Sequence, residues 1–237
     1  SACLVGSEMC IRDSYIRVLD RSGYFETVTL SEDDLKRNDM YRANAQRAKA
    51  QSRFADYHDY LLSLEMTAEI GDFSPLYLQR ITQLTNKSNQ FNLTTKRYTA
   101  EQMEAVYNSD EYIRLYGKLY DKFGDNGVVA VTIGKTDSED KGRLDIELWL
   151  MSCRVLKRDM ELAMLDSLVE QAKKRGIREI YGHYYPTAKN KMVAGLYESF
   201  GFEKISQDEE GNTAWRLLVE GYEDKNTVIK VKEEHYA

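Results

Sequence analysis

One thiol and several cations fall close together in the second half of the chain: Cys153 and Arg154, then Lys157 and Arg158. Further on stand His183, Thr187, Lys189 and Asn190. A cysteine can attack an activated acyl group and pass it on as a thioester. Arg154 and Arg158 could stabilise thiolate, phosphate or oxyanion charge beside it. His183 could act as base or acid if it lies within hydrogen-bond reach. Lys189 and Asn190 could contact phosphate or simply complete the start of a helix. Each residue also has a structural reading, since a free cysteine is often just a small buried apolar side chain.

The elements that must position these groups can be read from periodicity. Leu144, Ile146, Leu148 and Leu150 alternate with Asp145, Glu147, Trp149 and Met151, the period of a strand. Met160, Met164, Leu165, Leu168, Val169 and Ala172 then recur at helical spacing, and Gly176 closes that helix. Residues 177–185 predict a second strand halted by Pro186, and Thr187 predicts the cap of a helix ending near Phe200. Two strands joined by a crossover helix should lie parallel in one sheet, with a right-handed crossover. Ligands in such units bind at the carboxyl ends of the strands. Cys153, the cations, His183 and two helix N-termini are therefore expected to converge there, where they would attract phosphate.

Several blocks of wording add a resemblance. Asn190, Leu196-Tyr197-Glu198 and Gly201-Phe202 look like the last block of the GNAT acyltransferase fold. Gln83-Leu84-Thr85, the run Asn89 to Thr95, Ser152-Cys153-Arg154-Val155 with Arg158 and Glu161, and Pro186 to Asn190 together resemble the FkbH-like family over residues 15–220. That family joins a HAD-type (HAD-IIIC) phosphatase domain to a GNAT-like domain. The resemblance implies loading of a glyceryl unit, from a phosphorylated three-carbon acid, onto the phosphopantetheine thiol of an acyl carrier protein in polyketide-type biosynthesis. The implied cofactor is that carrier-borne arm or a CoA thioester, and the implied partners are the carrier protein and a small acyl donor. Tyr197 stands where many GNAT enzymes place the acid that protonates a departing thiolate; packing of its helix would explain it equally. Asn89, Gln90 and Asn92 would line the acyl or pantetheine channel, or else satisfy loop backbone groups. The Cys-Arg block departs from the family at Lys157, where glycine is usual, which puts ordinary acetyl-CoA binding in doubt. No Asp-x-Asp motif follows an apolar strand, so phosphatase activity is not expected in this stretch. Magnesium belongs with the HAD portion, and no metal is expected here.

The remaining features bound the answer. Residues 1–14 resemble a peptide translated from adaptor DNA; they lack the basic start and long apolar stretch of a secretory signal. Setting them aside removes Cys3 and Cys10, leaving Cys153 without a disulfide partner. The 237 residues are 42% apolar, enough for one or two domains with a core. No apolar run approaches the ~18 residues of a membrane span. The net charge of −6, with both signs interspersed, argues against a general nucleic-acid binder. A cytoplasmic location is the simplest expectation. The fold class expected is α/β (α+β), GNAT-like, with a central mixed sheet: a helical linker over residues 15–89, the GNAT-like domain over 90–220 and a charged tail over 221–237. Three functions fit: the acyl-transfer portion of a glyceryl-loading FkbH-like enzyme, a free-standing CoA-dependent acyltransferase, or a carrier-docking module without chemistry.

Overall fold

Polar and apolar residues sort along the chain into a mixed sheet with helices on both faces. The structure, a computed structural model, describes residues 32–233. Two units are distinguished, Ser1–Ala45 and Gln46–Ala237. Of the first, the described residues are all helical and belong to helix α1 (Glu32–Gln51). The leader, residues 1–14, and the first part of the expected linker, residues 15–31, lie outside the described residues.

In the second unit, helix α2 (Tyr57–Ser63) is capped by the Asp56 side chain and leads into β1 (Thr67–Gly71). Helix α3 (Pro75–Lys87) starts as its Ser74-Pro75 sequence predicts, with Ser74 as cap and proline in the first turn. After the short β2 (Phe91–Asn92) comes α4 (Ala100–Tyr107), begun by a reciprocal capping box between Thr99 and Gln102. The hairpin β3 (Tyr112–Asp121) and β4 (Gly124–Thr136) follows, then β5 (Arg143–Met151), α5 (Met160–Lys174) and β6 (Glu179–Tyr184). Helix α5 ends where Gly176 adopts φ +72°, a backbone conformation costly for other residues. The chain closes with α6 (Leu196–Ser199), β7 (Glu203–Gln207), β8 (Thr213–Leu218) and β9 (Lys230–Glu233).

The strands form one nine-stranded sheet ordered β7-β8-β6-β5-β4-β3-β1-β9, with β2 attached to β5. The pairs β5–β6 and β1–β9 are parallel; the others are antiparallel. Helix α5 covers one face with Met160, Met164, Leu165 and Leu168, all fully buried. Each such side chain contributes about 1.5–3 kcal/mol by leaving water. On the other face Ile81 and Leu84 of α3 and Met103 and Val106 of α4 pack against Tyr116, Val131, Ile133, Leu148 and Leu150. A β-bulge at Glu147 divides β5: Leu148 pairs with Ile133, but Ile146 pairs with Gly134. Leu144 and Ile146 before the bulge, and Trp149 and Met151 after it, then share the α5-facing core. No helix among the described residues is long and apolar enough to cross a membrane.

Two strands lie outside the 90–220 span expected for the domain. β1 falls in the expected linker, where only Ala68 and Ile70 alternate inward, too short a pattern to announce a strand. β9 falls in the expected charged tail and is held by parallel pairing of Thr67–Ile70 with Lys230–Glu233. The helix expected from Thr187 is also different. Asn190 Oδ1 accepts hydrogen bonds from the Thr187 N–H (2.7 Å) and hydroxyl (2.9 Å). This local bonding replaces helix with a turn, a 3₁₀ segment at Lys191–Val193 and the short α6.

Candidate active site

β5 and β6 pair only over Arg143–Asp145 and Glu179–Tyr181, then part. Their carboxyl ends thus border a crevice, the place where ligands bind in open α/β sheets. Segment 91–94 lies in it. Phe91 and Asn92 pair with Met151 and Leu150 on the side of β5 opposite β4. Leu93 donates its N–H to Trp149 O (3.1 Å) and accepts the N–H of Tyr185, just past β6, at 2.9 Å.

At the end of β5 the Ser152 hydroxyl accepts the Arg154 N–H and caps a 3₁₀ turn, Cys153–Val155. Val155 is buried beneath the turn, while Cys153, Arg154 and Lys157 are exposed. Lys157 takes φ +62°, the left-handed conformation that glycine adopts freely. Lys157→Gly is therefore expected to raise stability by up to about 1 kcal/mol, the left-handed penalty offset by glycine's unfolded-state entropy. Urea denaturation checks this; a loss of stability would mean that the lysine stem packs usefully.

Arg158 does not join Arg154 at the surface, contrary to the sequence expectation. It is buried and donates to Asp121 Oδ2 at 3.1 Å. Arg47 binds the same carboxylate with two bonds of 2.9 Å. The Phe123 N–H (2.8 Å) and Asn126 Nδ2 (3.4 Å) complete the set. Arg158 thus anchors the passage from the cysteine turn into α5, and its guanidinium is unavailable to an oxyanion. The physical reason is local: a fully buried carboxylate at the end of β3 demands countercharge.

His183 lies on β6 with Nε2 3.2 Å from Asp145 Oδ1. Arg143 grips that carboxylate with bonds of 2.7 and 2.8 Å. Burial works to raise the Asp145 carboxyl, but hydrogen bonds from His183 and Arg143 outweigh it and hold it below its ordinary value. Among the described residues no hydrogen bond joins His183 to Cys153. Tyr197 is fully buried on α6, its ring so close to Gly182 that an added Cβ there would meet it at 2.3 Å. Its hydroxyl lies near the His183 backbone N–H without a hydrogen bond of ordinary geometry, and burial pushes its pKa up. A proton donor in the crevice would need access that this hydroxyl lacks.

Asn92 and Asn190 serve the backbone, while Asn89 meets a side chain. Asn89 Oδ1 accepts from Arg97. Asn92 is fully buried, accepts the Thr95 N–H at 2.9 Å and has its own carbonyl bound by Asn190 Nδ2 at 2.9 Å. Asn190 also binds Tyr185 O at 2.9 Å. Thr187 belongs to the same turn, accepting the N–H groups of Lys189 and Asn190. Gln90 and Lys189 are exposed.

No family model matches this chain, and no curated protein matches it. Among solved structures, a domain from Methanocaldococcus jannaschii DSM 2661 aligns with a TM-score of 0.50 and 12% identity, covering 65% of this chain and 99% of that one. The ribosomal-protein-S18-alanine N-acetyltransferase from Escherichia coli aligns with a TM-score of 0.49 and 13% identity, covering 68% and 99%. The GNAT domain of S. lividans PAT gives 0.49 and 14% identity, covering 63% and 89%. At such identities a likeness concerns the fold alone. β5 and β6, parallel and joined through α5, are the arrangement expected from residues 144–185; their divergence at the carboxyl ends is not part of that expectation. The fold is of the expected α/β class, a central mixed sheet with helices on both faces, and it resembles the M. jannaschii domain.

Several groups around the crevice carry no local signal in the sequence. Asp121 and Arg47 are 74 positions apart, with no local signal to pair them. Glu147, on the bulge, accepts from Lys96 (2.5 Å) and the Tyr98 hydroxyl (3.0 Å). Glu161, which the sequence shows only as part of the Cys-Arg block, has a buried carboxyl oxygen without a hydrogen-bond partner. Burial pushes its pKa up to about 7.

Proposed function

We propose that this chain is the acyl-transfer portion of an FkbH-like enzyme, moving a glyceryl unit to the phosphopantetheine thiol of an acyl carrier protein. The observation that carries the reading is the exposed thiol of Cys153 on the turn ending β5, followed by the exposed Arg154. The wording of the Cys-Arg, amide and Pro-Thr-Ala-Lys-Asn blocks supplies the family.

In the proposed transfer, the Cys153 thiolate attacks the carbonyl of an activated glyceryl thioester. A carbon–sulfur bond forms to Cys153, and the donor's thiolate leaves with the proton that Cys153 gave up. The pantetheine thiol then attacks the new thioester, and its proton returns to Cys153 as that bond breaks. The two exchanges are close to isoenergetic, so the protein's task is positioning and charge. Arg154, the exposed cation next to Cys153, would meet the developing oxyanion. His183, oriented by Asp145, would relay the proton through water, since no hydrogen bond joins it to Cys153 among the described residues. Exposed Gln90 and Lys189 are candidates to meet the carrier's arm or its phosphate at the rim of the crevice, outside the strand gap that residues 91–94 fill. Asn89, Asn92, Thr187 and Asn190 shape the crevice, Arg158 steadies the loop, and Tyr197 packs α6 on the sheet. On this reading an upstream HAD domain prepares the acyl group.

Intact-mass spectrometry with a glyceryl thioester donor tests the proposal. A glyceryl adduct is expected on the wild type and none on Cys153→Ala. No adduct on the wild type, or an equal one on the variant, overturns it. The lack of a hydrogen bond between His183 and Cys153 among the described residues favours a second reading, a carrier-docking module without chemistry; carrier binding without any adduct would select it.

A further inference from the structure

Beyond Asp145 and Tyr181, the diverging strands β5 and β6 turn backbone edges toward each other across the crevice. Bare strand edges accept an added strand or another extended, amide-bearing group. An acyl-CoA, the carrier a GNAT-like fold implies, would offer its pantetheine arm in this way. Here both edges are already engaged. Leu93, fully buried, bonds to Trp149 O on one side and to the Tyr185 N–H on the other. The Thr94 hydroxyl donates to Glu147 O at 2.8 Å. Asn190, also fully buried, clamps Asn92 O and Tyr185 O together.

The other end of CoA fares no better. Its diphosphate needs free N–H groups and cations at the start of α5. The acid Asp159 holds the N-cap position with φ +59°; its side chain makes no capping bond, so its charge, not a bond, opposes a phosphate there. Arg158 is committed to Asp121. The Tyr57 hydroxyl donates to Lys157 O at 2.6 Å and covers the preceding loop. A carboxylate at a helix N-terminus competes with a phosphate for the same dipole.

We infer that residues 91–94 are a built-in occupant of the ligand crevice: they take the backbone positions that a CoA arm would use, so the crevice does not bind CoA. The inference rests on backbone hydrogen bonds and stands whether or not Cys153 is a nucleophile.

Calorimetric titration of the intact chain with acetyl-CoA, combined with NMR amide exchange at Leu93, tests it. The expected result is no saturable binding, with Leu93 exchange slowed about 1,000-fold or more, as for a cooperative core strand. Binding that leaves Leu93 equally protected places CoA elsewhere and upholds the inference. Binding that releases Leu93 protection overturns it, since the segment would then be a displaceable lid. Fast Leu93 exchange in the free protein overturns it as well. A failed adduct assay on Cys153 would leave all these outcomes unchanged.

Discussion

Asp121→Ala is expected to lower the unfolding free energy by about 3–5 kcal/mol, the cost of leaving buried charge without its partner. The Asp121 side chain is fully buried, and those of Arg47 and Arg158 are 7% and 10% exposed. Two guanidiniums share one carboxylate, so its removal takes that acceptor from both in a place where water cannot replace it. The loss would be a large part of the ~5–15 kcal/mol that holds an ordinary domain together. Asp121→Asn should be nearly as harmful, because it keeps the shape but not the charge. Arg158→Met should be milder, since Arg47 continues to neutralise the aspartate. Urea denaturation at neutral pH measures all three. A loss below ~1 kcal/mol for Asp121→Ala would show a solvated cluster with the worth of a surface pair.

The second large effect is on pH. Burial pushes the Glu161 carboxyl up to about 7, above the ordinary 4.5, with Asp159 adding repulsion. An acid with a raised folded pKa disfavours the native state when ionised. Its penalty is full above pH 7 and disappears below the unfolded value. Stability should therefore rise by roughly 2–3 kcal/mol between pH 8 and about 4.5. This runs against ordinary acid destabilisation, to which the depressed Asp145 contributes only at lower pH. Glu161→Gln should flatten the profile and exceed the wild type at pH 8. Denaturation midpoints across the range provide the check; a wild-type profile as flat as the variant's would mean that water reaches the carboxylate.

The sequence reading succeeded where information is local. The alternation before Met151, the helical spacing of Met160 to Ala172 and the Gly176 stop locate β5 and α5 because each signal sits inside its own element. Thr99 and Ser74 announce their helices through bonds spanning two or three residues. Arg158 was misplaced because its partner, Asp121, is 37 positions away and carries no mark of burial. β2 was read only as amides around an aromatic, since two residues have no period. Its identity as a strand comes from the gap that it fills. At Tyr197 both packing and chemistry were legible, and only the enclosure of its hydroxyl separates them.

The pairing of β1 with β9 has a consequence for synthesis. Thr67–Ile70 must wait for Lys230–Glu233 before one edge of the sheet is covered. A chain emerging from the ribosome can assemble β3, β4 and β5 in order, yet it carries an open strand at β1 until residues near 230 have been made. During that interval the bare backbone is a template for a neighbouring nascent chain. Glu69 and Lys118, charged and adjacent in register on β1 and β3, stand where charge discourages such mispairing.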